Sequence, residues 1–176
     1  MERKQIRLPL TKETAKSLRA GDLCYLTGPM LVARDAAHAR LAACLEKGEE
    51  LPVSLEGETI YYMGPSPARP GQVIGSAGPT TAGRMDRYTP ALLAQGMLGM
   101  VGKGKRSEAV REAVIERGAV YFAAIGGAGA LLSRCIESAE VVAYEDLGTE
   151  AIRRITVREM PVVVALDSDG NDLYAR

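Results

Sequence analysis

Residues 97–124 read MLGMVGKGKRSEAVREAVIERGAVYFAA, and three segments of different character follow one another in this stretch. MLGMVG (97–102) is short and apolar, which predicts a buried strand. SEAVREAVIERG (107–118) has a helical pattern, and AVYFAAIG (119–126) again predicts a strand. This alternation favours an α/β domain in which at least part of the sheet is parallel.

The same alternation continues on both sides of this stretch. TPALLAQGM (89–97) and GAGALLSRCIES (127–138) predict helices, and VVAYED (141–146) predicts a strand. The tail from residue 152 to residue 174 predicts a strand, a turn at SDGN (168–171) and a second strand.

The N-terminal part of the chain begins with a predicted strand, a short helix and another strand over residues 6–35. Thr11 is placed as the N-cap of the short helix and Gly21 as its end. The second strand, LCYLTG, is predicted to end at Gly28, which precedes a proline.

The next helix, DAAHARLAACLEKG (35–48), is predicted to be capped by Asp35 and ended by Gly48. TIYYM (59–63) then predicts a strand that runs into a loop rich in proline and glycine. QVIGSAG (72–78) predicts a further strand.

The composition bounds both the size and the class of the protein. The chain has 176 residues with 47% hydrophobic content, so we expect one domain spanning residues 1–176. Lys and Arg number 22, as do Asp and Glu, and aromatic residues make up 5% with no Trp. These values argue against nucleic-acid binding and against a polybasic membrane tail. The absence of a long apolar run and of a signal-peptide pattern predicts a cytoplasmic protein with no membrane partner.

The three cysteines are far apart in the sequence and form no CxxC pair. Cys24, Cys44 and Cys135 therefore favour neither a disulfide framework nor a zinc site. Their number alone leaves an iron–sulfur cluster open. Buried free thiols are the favoured interpretation, because Cys44 lies among leucines on a predicted helix.

Two glycine-rich stretches imitate nucleotide-binding motifs. Gly99, Gly104 and Lys105 have the spacing of a P-loop, but Arg106 stands where Ser or Thr should bind magnesium. AAIGGAGALL (123–132) follows a predicted strand, but Gly126, Gly127 and Gly129 lack the GxGxxG spacing. Glu145 or Asp146 would be the weakly matching ribose-binding acid. Tight packing of a strand–helix turn is favoured over a dinucleotide site.

A set of cations follows the predicted strands. GPTTAGRMD (78–86) combines glycines, hydroxyls and Arg84, which are the parts of a small-anion cradle. Arg34 and Lys103 each follow a strand-like segment, where α/β sheets gather ligands. Three such cations favour a ligand with more than one carboxylate. For His38, the sequence leaves open a hydrogen bond within this loop cluster or a neutral place in the core.

The motifs GPMLVARDAAHARL, GPTTAGRMDRYTP, GKGKRSEAV and AIGGAGALLSRCI resemble the β region of class I fumarases. The C-terminal stretch from VVAYED to DSDGNDLY does so too. The same region forms the β subunit of two-subunit fumarases and of L(+)-tartrate dehydratase. The resemblance runs from about residue 5 to the end of the chain.

The resemblance implies a single swivelling β/β/α domain, similar to that of aconitase-like hydro-lyases. It implies the reversible hydration of fumarate to (S)-malate in an α2β2 assembly. It places the [4Fe–4S] cluster, whose open iron binds substrate, in a partner α subunit and implies no cofactor in this chain. The cluster cysteines of the family have no counterparts here.

The resemblance also implies roles for particular residues. By motif, Thr80 is the candidate general base, and Arg34, Arg84 and Lys103 bind substrate carboxylates or hydroxyl. The residues implied to lie behind or beside them are His38, Asp35, Thr81 and Lys105. Lys105 stands where the family pattern GKGNRS has Asn, which leaves open which lysine points inward.

Three alternative functions remain at this point. The β subunit of tartrate dehydratase needs a similar dicarboxylate clamp. A nucleotide-binding module would rest on the two glycine-rich stretches. A non-catalytic dicarboxylate-binding domain would bind the anion without gaining activity from an α subunit.

Overall fold

The fold is a mixed α/β arrangement, and the computed structural model describes residues 3–125 and 129–175. The strands are β1 (Arg3–Arg7), β2 (Leu23–Val32), β3 (Thr59–Tyr61), β4 (Gly99–Gly102), β5 (Val120–Ala124), β6 (Ile136–Ala143) and β7 (Ile152–Leu166). The α-helices are α1 (Lys12–Ser17), α2 (Asp35–Glu46), α3 (Thr89–Leu93), α4 (Glu108–Arg117) and α5 (Gly129–Ser133). Short 3₁₀ helices lie at Ala82–Met85, Glu145–Glu150 and Leu173–Ala175.

The seven strands form one sheet in the order β1-β2-β3-β4-β5-β7-β6, and β2 also pairs with β7. The second pairing closes β2, β3, β4, β5 and β7 into a barrel, with β1 and β6 attached outside it. The strands from β1 to β5 run parallel to their neighbours, whereas β7 is antiparallel to β2, β5 and β6. The predicted α/β class with a partly parallel sheet is therefore confirmed.

Both faces of the central strands are buried, which explains their continuous apolar sequences. Successive side chains of a strand point to opposite faces. Tyr61 and Val101 accordingly belong to one apolar cluster, and Tyr62 and Met100 to the other. Helices α2, α3 and α4 cover the second cluster, while α1 packs against the first. No helix in the described ranges has the length and apolar character to cross a membrane.

Three element boundaries differ from the prediction. Strand β2 does not end at Gly28 but continues to Val32, because β7 pairs with it on both sides of a bulge there. Helix α1 ends at Ser17, before Gly21. The predicted helix over residues 127–138 is α5 followed by the start of β6, and residues 126–128, which include Gly126 and Gly127, lie outside the described residues.

Two predicted strands are absent from the described structure. QVIGSAG (72–78) is a loop, because three of its amides are bonded outside any strand ladder. The Gln72 amide donates to the Arg69 carbonyl, the Ser76 amide to the Ser66 hydroxyl and the Ala77 amide to the Gly129 carbonyl. The second strand of the tail is reduced to a single bridge between Leu166 and Asp172 after the SDGN turn. The turn itself is confirmed, with Gly170 at φ +89.

Candidate functional site

The carboxyl ends of β2, β3 and β4 lie side by side, since these strands are parallel neighbours. Each strand leads into a loop that carries a residue singled out in the sequence. Arg34 follows β2 and Lys103 follows β4. Gly64, Gly78, Pro79 and Lys103 line one depression at this edge. The site is thus assembled where parallel sheets gather ligands.

Thr80 is held by backbone hydrogen bonds between the loops after β3 and β4. Its amide donates to the Tyr62 carbonyl at 2.7 Å, and its carbonyl accepts from the Lys103 amide at 3.4 Å. Thr81 forms a parallel bridge with Lys103 and has an exposed side chain. The half-buried Thr80 hydroxyl has no hydrogen bond to any described residue, so it is free to meet a ligand.

Arg84 is paired with a carboxylate of its own chain. Its Nε and Nη2 lie 2.9 and 2.7 Å from Asp35 Oδ2. Asp35 was predicted to cap α2, and this prediction is wrong: Arg34 occupies the N-cap position, and no side-chain bond caps the helix there. The Asp35 carboxylate instead links α2 to the 3₁₀ helix at Ala82–Met85. Asp35 Oδ1 is buried without a hydrogen-bond partner among the described residues.

The Arg34 guanidinium lies against bare backbone. A Cβ on Gly64 would fall 2.6 Å from Arg34 Cζ, so only glycine leaves room for it. On another side, Glu150 Oε1 is 3.5 Å from Arg34 Nε. The same oxygen accepts a hydrogen bond from the Ala36 amide at 3.0 Å. Glu150 therefore supplies the acceptor at the start of α2 that was expected from Asp35.

The two lysines of GKGKRS lie in different places. Lys103 lines the depression with Gly64 and Gly78, and its side chain pairs with no carboxylate in the described ranges. Lys105 lines a separate depression with Arg111 and Asp172. The geometry therefore favours Lys103 as the lysine that faces the site.

His38 is fully buried in the core and also contacts the loop after β2, so the structure combines the two alternatives that the sequence left open. Its Nδ1 is 2.9 Å from the Arg34 carbonyl, and its ring packs edge-on to Tyr62 at 5.4 Å. Burial lowers its pKa to about 4, and the nearby Arg106 acts in the same direction. The neutral ring therefore supports the backbone of Arg34 from behind.

In the sequence, Arg106 is noted only as a mismatch to a P-loop. In the structure it connects the loop after β4 to Tyr62, Asp86 and Thr89. Its buried guanidinium donates to Asp86 Oδ1 at 2.7 Å, to the Tyr62 hydroxyl at 3.1 Å and to the Thr89 hydroxyl at 3.0 Å. Asp86 Oδ2 accepts from the Ser107 amide at 2.7 Å. Burial by itself lowers the pKa of Arg106, but Tyr62 and Asp86 outweigh it and raise that pKa, so the group stays charged.

The cysteines do not form a set of metal ligands. Cys24 is buried in β2, and Cys44 and Cys135 are partly buried elsewhere. No group of three or more His, Cys, Asp or Glu side chains in residues 3–125 and 129–175 is placed to hold a metal ion. The described residues therefore do not fit an iron–sulfur cluster.

The P-loop interpretation loses its structural basis. Gly99 begins β4, so the glycine that would start the P-loop lies in a strand and not in a phosphate-binding turn. Asp146, one of the two acids weighed for ribose binding, is held bidentately by Arg40 at 2.9 Å.

Comparison with known proteins now decides the family. The model of the fumarase C-terminus family matches residues 1–176. The chain belongs to this family. It is 44% identical to the aerobic class I fumarate hydratase of Escherichia coli K12 over 151 residues, which cover 85% of this chain and 28% of that enzyme. It is 38% identical to fumarate hydratase 2 of Leishmania major over 89% of this chain and 28% of that protein.

A third relative has nearly the length of this chain. The chain is 35% identical to a putative L(+)-tartrate dehydratase subunit beta of Methanocaldococcus jannaschii over 94% of its own length and 88% of that protein. By contrast, it spans little more than a quarter of the fumarate hydratases described above. The resemblance identified from the sequence motifs is thus confirmed at the level of the family.

Proposed function

We propose that this chain is the β subunit of a two-subunit class I fumarate hydratase, a hydro-lyase that interconverts fumarate and (S)-malate. The observation that carries the proposal is the convergence of Arg34, Thr80 and Lys103 at one edge of the sheet. Backbone hydrogen bonds join Thr80 to the loops after β3 and β4. The close relation to class I fumarate hydratases supports the reaction.

The cations would bind the two carboxylates of the substrate. Lys103 has no described carboxylate partner, so its charge is available to a ligand. Arg34 is half-buried and Arg84 is 54% exposed on its side chain, and each is already close to one carboxylate of the chain. Planar guanidinium groups fit carboxylates bidentately. Two or three fixed cations would therefore orient a dicarboxylate by both ends.

Thr80 would transfer the proton at C3. In malate dehydration, the C3–H bond breaks and the proton passes to the Thr80 oxygen, which must be ionised to accept it. The electron pair of that bond forms the C2=C3 double bond, and the C2–O bond breaks with loss of hydroxide, a departure that the Lewis-acid metal of a partner subunit would assist. Nearby cations favour an ionised oxygen, and they also stabilise the negative charge that develops on the adjacent carboxylate. Two observations support this role: the Thr80 backbone is hydrogen-bonded to that of Lys103, and the Thr80 hydroxyl has no hydrogen bond to a described residue.

The remaining parts of the proposal concern partners. A cluster-bearing α subunit would complete the site and supply the iron chemistry, in a cytoplasmic α2β2 assembly. The closed sheet would then move as a swivelling β/β/α domain. The open depression beside the loops after β3 and β4 supports a site that another chain completes.

A second candidate is the β subunit of L(+)-tartrate dehydratase. The relative of Methanocaldococcus jannaschii favours it, because its length matches that of this chain. Tartrate also carries two carboxylates, so the same clamp would serve.

Reconstitution tests the two candidates directly. This chain is mixed anaerobically with a candidate α subunit that carries its cluster, and formation of fumarate from malate is followed by absorbance. Activity that appears only in the mixture supports the fumarate hydratase, and activity on tartrate alone supports the second candidate. A formed complex with an intact cluster and no activity on either substrate would overturn both.

A further inference from the structure

Glu150 lies beside Arg34, the least exposed of the three cations proposed to bind substrate, although the two residues are 116 positions apart in the sequence. The antiparallel register of β2 and β7 explains this placement, because Val32 pairs with Arg153 at the end of β2. Two residues beyond Val32 is Arg34, and three residues before Arg153 is Glu150. The barrel closure therefore brings the carboxylate to the first turn of α2.

The contacts of Glu150 involve one oxygen shared between two donors. Oε1 accepts from the Ala36 amide at 3.0 Å and lies 3.5 Å from Arg34 Nε. Arg34 Nε is buried and has no hydrogen bond to any described group, so Glu150 is its nearest compensating charge. Both side chains are about a quarter exposed, at 28% for Arg34 and 26% for Glu150.

The Arg34 guanidinium also lies close to Gly64. Gly64 presents bare backbone, and any side chain there would displace Arg34. Arg34 is therefore in contact with both a carboxylate and the bare backbone of Gly64. This arrangement limits the rotamers of a long side chain that would otherwise lose entropy on binding an anion.

The 3₁₀ helix that carries Glu150 is anchored to α2 a second time. Asp146 binds Arg40 through two hydrogen bonds of 2.9 Å, and the Arg40 guanidinium stacks on the Tyr144 ring. This exposed pair is near the helix surface and does not touch Arg34. It provides a matched control for the effect of Glu150.

We propose that Glu150 is a positioning residue that orients the Arg34 guanidinium for the substrate carboxylate. The inference rests on the proposed function, in which Arg34 binds one end of the dicarboxylate. In this role Glu150 does not touch the substrate and acts on its binding through Arg34, while its hydrogen bond to the Ala36 amide holds the start of α2. Its loss should therefore weaken binding and leave the chemical conversion nearly unchanged.

Glu150→Gln in the reconstituted complex is the central test. The amide oxygen can still accept from Ala36, but the charge beside Arg34 is gone. We expect KM for the active dicarboxylate to rise by roughly three- to tenfold, because binding must then order the Arg34 side chain, and kcat to stay within about twofold. Asp146→Asn makes the same chemical change on the same 3₁₀ helix, and its KM should stay within about twofold of the wild type.

Two results with the single variants would overturn the assignment in an active complex. One is a KM in Glu150→Gln that is unchanged or lower than in the wild type. The other is an equal rise in Asp146→Asn, which would mean that general order of the segment is responsible. Adding Glu150→Gln to Arg34→Ala should have no further effect, and an additive loss would also contradict the proposal.

A measurement on this chain separates the inference from the proposed function. Exchange of the Arg34 Nε proton with solvent is followed by NMR in the wild type, in Glu150→Gln and in Asp146→Asn. Faster exchange in Glu150→Gln alone supports the positioning role even if the complex turns over neither substrate. Equal exchange in all three proteins would reject it.

Discussion

The Asp86 carboxylate and the Arg106 guanidinium meet at 2.7 Å in the interior, where the Arg106 side chain is 1% exposed. Asp86 also accepts a hydrogen bond from the Ser107 amide. It therefore connects the 3₁₀ helix after Thr80 to the loop after Lys103. The two loops that carry the proposed base and the proposed lysine are thereby fixed to each other.

Removing Asp86 should destabilise the protein strongly. Asp86→Ala leaves Arg106 buried and unpaired, and breaking such a pair costs about 3 kcal/mol of unfolding free energy. Chemical denaturation measures this loss. The control is Glu137→Ala, which removes an exposed partner of Arg158 and should cost less than about 1 kcal/mol. Equal losses of unfolding free energy in the two variants would show that the buried pair contributes no more to stability than the exposed pair.

The single histidine provides a pH prediction. Burial lowers the pKa of His38 to about 4, below its unfolded value of 6.5. Between these values the unfolded chain binds a proton that the folded chain does not, so stability falls as the pH is lowered from 6.5 toward 4. The group accounts for at most about 3 kcal/mol of that loss.

NMR titration of the His38 ring checks this prediction without interference from other histidines. The ring resonance should stay in its neutral position down to about pH 5 while the protein remains folded. A midpoint above pH 6 in the folded protein would contradict the burial of an uncharged ring.

The two lysines should differ in their effect on substrate binding. Lys103→Ala removes the cation that lines the depression with Gly64, and KM of the reconstituted complex should rise by about tenfold or more, as expected for a lost charge-assisted bond. Lys105→Ala alters a separate depression and should change KM by less than about threefold. A larger rise of KM in Lys105→Ala than in Lys103→Ala would mean that Lys105, at the position of the family asparagine, binds the substrate instead of Lys103.

Asp35 should orient Arg84 rather than stabilise the fold. The pair is substantially exposed, at 54% for Arg84 and 36% for Asp35, so Asp35→Asn should cost less than about 1 kcal/mol of stability. It frees the Arg84 guanidinium, and KM should rise. Unchanged KM together with lower stability would assign the pair a purely structural role.

Much of the fold was predictable from local pattern, and the misses have non-local causes. The strands and helices around MLGMVG and SEAVREAVIERG follow directly from apolar runs and helical periodicity. Gly28 looked like a strand end, but pairing with the distant β7 carries β2 past it. Likewise, QVIGSAG is no strand, because its Ser76 and Ala77 amides are bonded to Ser66 and Gly129 and not to a neighbouring strand.

The candidate site shows the same division. The positions of Arg34 and Lys103 after parallel strands could be inferred from the chain order alone. Glu150 and Arg106 could not, because their importance depends on barrel closure and on burial. Asp35 was misplaced for the same reason, since an acid at a helix start looks like a cap until Glu150 is seen to provide the acceptor.

Thr80→Ala in the reconstituted complex tests the central claim most directly, with Thr149→Ala, an exposed threonine, as control. Complex formation is verified by gel filtration, and kcat and KM are measured for malate and tartrate. We expect kcat to fall by about 10²–10⁴ in Thr80→Ala with KM within about threefold, and to be unchanged in Thr149→Ala. A kcat within about twofold of the wild type in Thr80→Ala, with the complex intact, would contradict the role of Thr80 as the base and the proposed substrate site around it.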